Sequence, residues 1–121
     1  MVKDYISSAG IAVANFETTL AGEPYMGYPA FSSPVSLAVA LQNVGFDLLL
    51  TANNHILDRG AKGLERTIDV LDSLGIMHTG SFKDSIQWKN NYPLIIEKNG
   101  FKLAFLNYNI AQILPKLNRL S

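Results

Sequence analysis

Cysteine is missing from the chain. Disulfides and thiolate metal sites are therefore excluded, and any metal chemistry has to rely on oxygen and imidazole nitrogen. Charge imbalance is missing too. Ten basic residues meet ten acidic ones, so composition supplies no electrostatic argument for nucleic acid or an anionic membrane surface. No run approaches the ~18 consecutive apolar residues of a membrane span. The opening MVKDYISSAG carries no apolar signal-peptide core. Charged residues make up only 17% of the chain, against 48% hydrophobic. That balance excludes a disordered tail and supports a packed core. The 121 residues fit a single domain over 1–121.

What is present follows a rhythm. Residues 35–50, VSLAVALQNVGFDLLL, read as a helix, a glycine and a strand, and residues 64–78, LERTIDVLDSLGIMH, repeat the order. Gly45 and Gly75 occupy matching places, where a left-handed residue ends a helix and turns the chain back. Ser33 fits an N-cap and Pro34 the first helical position. Leu37, Leu41 and Val44 form the expected buried stripe of the first helix, with the small Ala38 and Ala40 allowing close packing on a sheet. Leu64, Ile68, Leu71 and Leu74 form that of the second, which begins around Ala61. Lys62, Glu65, Arg66, Asp69 and Asp72 form its solvated face.

Strands are expected at 11–14, 46–50 and 76–78, with residues 6–14 the approach to the first. Their continuous apolar character suits parallel strands covered on both faces. PLIIEKNGFKLAFLNY reads as a hairpin about Asn99-Gly100. The expected fold class is α/β: a layered, mostly parallel sheet with helices on both faces and a C-terminal β-hairpin. Residues 18–33 make a long loop rich in Gly, Pro and aromatics. It is either a functional loop or a flap over the sheet. Trp88 and Tyr92, within the polar run DSIQWKNNY, read as surface cover.

In an open α/β sheet, ligands bind beyond the carboxyl ends of the parallel strands. There the chain sets Asn15 and Glu17 after the first strand, Asn53, Asn54, His55 and Asp58 after the second, and His78 at the end of the third. Carboxylates, amides and the chain's two histidines make a mixed oxygen and nitrogen set. Such a set suits Mn²⁺, Fe²⁺ or Zn²⁺ and metal-assisted hydrolysis. Plainer roles stand beside these. Asn53 and Asn54 are ordinary turn residues. Asp58 fits a cap on the following helix, Glu17 fits a pair with Arg59, and His78 fits a structural role. His55 is the residue that a turn does not need.

ANFETTLAG (14–22) and ANNHILDRGAKGLERTIDVLDSLGIMHTGS (52–81), with YPAFSSP, GFDLLLTANNH and YPLIIEKNGFKLAFLNY in the same order, resemble the CapA family of capsule and poly-γ-glutamate biosynthesis proteins. The likeness runs to about Tyr108. It implies a fold similar to that of the calcineurin-like metallophosphoesterases, with a two-metal site at strand ends. It implies Asn54 and Glu17 as metal ligands and His55 as the acid or phosphate-binding group, with Asp58 and Gly60 matching the family's turn after the histidine; His55 and Asp58 are the expected catalytic residues. Asn15, Asn53 and His78 are the expected substrate-binding groups of the rim.

It further implies an anionic polymer or its precursor as ligand, with membrane-associated capsule machinery at the cell envelope as the setting. The family's opening Gly-Asp strand and its later histidine motifs have no counterpart here, and the tail NIAQILPKLNRLS departs from the family pattern. The expectation is thus an incomplete domain, poorly equipped for catalysis alone and inclined to self-associate. Three functions compete: part of a metal-dependent hydrolase, a non-catalytic polymer-binding component, and a fragment with no function of its own.

Overall fold

A computed structural model of the chain describes residues 2–8 and 10–108. Nine elements follow in order: α1 (Val2–Ser8), β1 (Val13–Asn15), α2 (Val35–Val44), β2 (Leu48–Leu50), α3 (Gly60–Ser73), β3 (Met77–Thr79), α4 (Ser85–Asn91), β4 (Leu94–Lys98) and β5 (Phe101–Phe105). The first three strands form one parallel sheet in the order β1-β2-β3, flanked by helices. β4 and β5 form a separate antiparallel pair. The fold is α/β, as the alternation of helix and strand patterns implied.

The turns act as read. Gly45 (φ 114°) and Gly75 (φ 69°) are both left-handed. The Gly45 N–H caps the α2 carbonyls of Leu41 and Gln42, and the Gly75 N–H bonds the Asp72 carbonyl. Asn99 (φ 53°) and Gly100 (φ 81°) close the hairpin with positive φ at both central positions, as a two-residue turn matched to strand twist requires.

The core gathers around β2. Leu49 packs with Phe16, Leu20, Ala38 of α2, Leu71 of α3 and Ile76. A smaller cluster, Ile56 with Leu64 and Ile68, seats the segment after β2 on the first half of α3. Burying side chains of this size contributes roughly 1.5–3 kcal/mol each, so the turn after β2 rests on a fixed floor.

Several expectations give way. Residues 2–8 are helical, so residues 6–8 of the expected approach to the first strand belong to a helix instead. Ser33 does not cap α2; its hydroxyl hydrogen-bonds that of Thr18 at 2.8 Å, and Pro34 takes the cap position instead. Leu37 is 38% exposed, and the small Ala38 is fully buried in its place. Close packing on the sheet favours a residue without bulk at that point. The run at 84–92 contains α4. Asp84 caps it by accepting the Gln87 N–H at 2.7 Å, while the Gln87 side chain accepts the Lys83 N–H at 2.7 Å. Trp88 stacks on Tyr92 at the protein surface, with ring centroids 5.8 Å apart. The tail NIAQILPKLNRLS lies outside the described residues.

Candidate functional site

The register fixes where the polar residues gather. Asn15, Leu50 and Thr79 lie level across the sheet at the carboxyl ends of their strands. The segments that follow therefore leave on one rim.

A hydrogen-bonded chain runs along that rim. The Asn15 amide donates to Glu17 Oε1 at 2.7 Å. Asn53 Nδ2 donates to the Phe16 carbonyl at 2.7 Å and to Asn15 Oδ1 at 3.3 Å. Asn53 Oδ1 accepts the His55 backbone N–H at 2.9 Å, closing an Asx-type turn. Thus Asn53 joins the segment after β1 to the segment after β2 and fixes the backbone of His55. Its amide is committed to this joint. Asn54, next along, is exposed.

His55 and Asp58 form a hydrogen-bonded pair. His55 Nδ1 lies 2.8 Å from Asp58 Oδ2, and the two side chains are 26% and 13% exposed. The same carboxylate accepts the Phe31 N–H at 2.9 Å. Burial pushes the Asp58 carboxyl up, but the Phe31 N–H, His55 and Arg59 outweigh it and hold it below the usual carboxylate range. An ionised carboxylate only accepts hydrogen bonds, so Nδ1 must be the donor. In the neutral imidazole Nε2 then carries the lone pair and is the nitrogen left for a ligand. Asp58 therefore acts as an orienter of His55, and it does not cap α3. That helix begins at Gly60 without a side-chain cap.

The long loop closes over this pair. Arg59 donates to the carbonyls of Ala30 at 3.0 Å and Pro24 at 2.6 Å, so it is bound to the loop and not to Glu17. Thr19 Oγ1 donates to the Phe31 carbonyl at 2.7 Å, and Met26 and Ser32 exchange backbone bonds. The Phe31 ring meets the His55 imidazole edge to face, with centroids 4.2 Å apart.

His78 does not join the rim. It sits mid-strand beside Leu49, and its Nε2 bonds Asp72 Oδ1 at 2.6 Å. Asp72 lies at the end of α3, where the chain turns back into β3, so this imidazole faces the amino end of the sheet. In this position it braces α3 against β3. The outer face of α3 is likewise less idle than expected, for Asp69 pairs with Lys83 and Arg66 donates to the Leu20 carbonyl.

Two contributors escaped the sequence reading. Phe31 stood within a quoted motif, but nothing local ties a loop phenylalanine to a histidine 24 positions on. Asn107 accepts the Ala52 N–H at 2.9 Å beside the turn. Its only sequence signal is its place just past the hairpin.

Among the described residues no three His, Asp or Glu side chains converge as a metal-binding group. The rim sets Glu17 among amides, with His55 already paired to Asp58. These residues do not by themselves make a metal site.

Residues 1–119 match the family described as bacterial capsule synthesis protein PGA_cap. The chain is 29% identical over 121 residues to the capsule biosynthesis protein CapA of Bacillus anthracis, covering 91% of this chain and 29% of that protein. The uncharacterized proteins y4sH and y4uA of Sinorhizobium fredii (strain NBRC 101917 / NGR234) are each 32% identical over 88 residues, covering 65% of this chain and 19% of their own length. The chain thus spans less than a third of these relatives. With the family pattern matched over residues 1–119, the protein belongs to the bacterial capsule synthesis protein family.

Proposed function

We propose that this chain supplies one rim of a metal-dependent, phosphoesterase-like hydrolase site in a capsule biosynthesis protein. The ligand is an anionic polymer or its precursor, poly-γ-glutamate being the polymer that the family resemblance names. The observation that carries the reading is the His55–Asp58 pair, which engages Nδ1 and leaves Nε2 as the nitrogen for a ligand, while Glu17 and Asn54 lie on the segments that follow the neighbouring strands β1 and β2. A histidine so oriented takes up or delivers a proton at Nε2 while Asp58 stabilises the imidazolium. Glu17 and Asn54 are this chain's contribution to binding Mn²⁺, Fe²⁺ or Zn²⁺, and the other ligands belong to sequence that the relatives have beyond this segment. The setting we infer is membrane-associated capsule machinery.

The test uses a protein of CapA length carrying this segment. Hydrolysis of bis(p-nitrophenyl) phosphate with Mn²⁺ should fall about 10²–10⁴-fold in His55→Ala. Hydrolysis indifferent to His55 refutes the reading. The 121-residue chain alone should bind Mn²⁺ or Zn²⁺ only weakly, and tight binding by calorimetry would contradict the shared ligand set. The competing reading is a polymer-binding component without catalysis. It predicts polymer binding that survives His55→Ala and no turnover with any of these metals.

A further inference from the structure

We propose that Phe31 is a positioning residue for His55, which makes the 18–33 loop a part of the site and not a cover laid over it. The inference rests on the reading of His55 as the proton-handling group, and it deepens that reading by naming what sets the imidazole's orientation.

Three contacts meet at one point. The Phe31 N–H and His55 Nδ1 share a single oxygen, Asp58 Oδ2, at 2.9 and 2.8 Å. The Phe31 ring stands edge to face against the imidazole at 4.2 Å and 66°. A hydrogen bond at Nδ1 alone leaves the imidazole free to rock about that bond. An aromatic wall on one side removes the freedom and favours one ring plane. Withdrawing the loop would cost Asp58 one donor and the imidazole its wall together.

The loop is stiff enough to hold this arrangement. Arg59, adjacent to Asp58, binds two of its carbonyls. Thr19 Oγ1 holds the Phe31 carbonyl, and the Ser32 hydroxyl holds that of Gly22 at 2.8 Å. The backbone of His55, by contrast, is anchored through Asn53, and Ile56 is packed on α3. The histidine's position on the chain is thus independent of the loop, and its ring orientation depends on it. A merely structural Phe31 would not separate these two properties.

The test is ¹⁵N NMR of the histidine rings in the metal-free 121-residue chain, at a pH where both imidazoles are neutral. There are two histidines, so two ring systems are read, and His78→Gln assigns them. In the wild type His55 should show a single Nδ1–H tautomer. Phe31→Ala should shift its ring resonances and move the tautomer toward the mixture of a free imidazole, with the His55 backbone amide little changed. Phe31→Tyr, which keeps the ring, should restore the wild-type signature. Arg59→Lys keeps the positive charge beside Asp58 but gives up the guanidinium's paired bonds to the loop, and it should move the His55 signals in the same direction as Phe31→Ala. Unchanged His55 ring signals in both Phe31→Ala and Arg59→Lys would overturn the proposal. The readout needs neither metal nor turnover, so its failure is distinct from a failure of the hydrolase reading, which the His55→Ala assay reports.

Discussion

Asp58 couples two parts of the site, because one carboxylate oxygen serves both the long loop and the histidine. Its charge is therefore coupled to folding. The folded-state pKa lies below the usual value, so the stabilisation is complete above the ordinary carboxylate value of about 4. It is lost as the pH falls from there through the lowered value. The wild type should melt higher than Asp58→Asn near neutrality. The gap should narrow as the pH drops from about 5 to about 3, because protonation makes the native side chain resemble the amide. Thermal melts of both proteins across that range check this, and a constant gap would show that the carboxylate's charge contributes nothing. The neighbouring residues show how far local sequence reaches. That Asn53 belongs to a turn was legible from its type alone. That Asp58 bonds Phe31 and not the start of α3 was not legible, since both choices are open to an aspartate before a helix, and a partner 27 positions away decided between them.

Among the helices, those with a long apolar period were legible and the short ones, α1 and α4, were not. Leu64, Ile68 and Leu71 are buried as the spacing of α3 demanded, whereas α4 has no buried residue and thus no stripe to read. Its cap was nevertheless present in the sequence, as Asp84 followed three positions later by Gln87. The tie between the hairpin and the site shows a constraint that no periodicity encodes. Asn107, just past β5, reaches the Ala52 N–H beside the turn, and it does so across Gly80. Gly80 has φ 115°, and a Cβ there would stand 2.6 Å from the Ala52 nitrogen and collide with the Asn107 carboxamide. Gly80→Ala should therefore destabilise the fold by on the order of 3 kcal/mol through strain and displacement of Asn107. Asn107→Ala, which removes only the acceptor of a half-buried N–H, should cost about 1 kcal/mol. Urea unfolding of the two variants measures the difference. Equal losses would mean that Gly80 matters only through Asn107.

For the molecule as a whole, the parallel sheet was legible because continuous apolar strands alternated with helices, and with the strand direction came the shared rim. What the pattern could not supply was His78, which lies at the end of an apolar run but turns its ring back to Asp72. Nor could it show how the two sheets stand. The hairpin is not paired to β1, β2 or β3, and a two-stranded unit is marginal in water unless something covers it. Here both of its faces show apolar side chains. Phe101 is 70% exposed on one face and Ile95 51% on the other, and Leu106 beyond the hairpin is 67% exposed. Opposed apolar faces and strand edges not paired to the parallel sheet favour pairing with another copy. We therefore expect this chain to form dimers or larger assemblies. Light scattering over a concentration series checks it, and a clean monomer at high concentration would count against it. If the hairpin carries the contact, Phe101→Lys and Ile95→Lys should shift the population toward monomer while leaving the melting of the parallel sheet near that of the wild type.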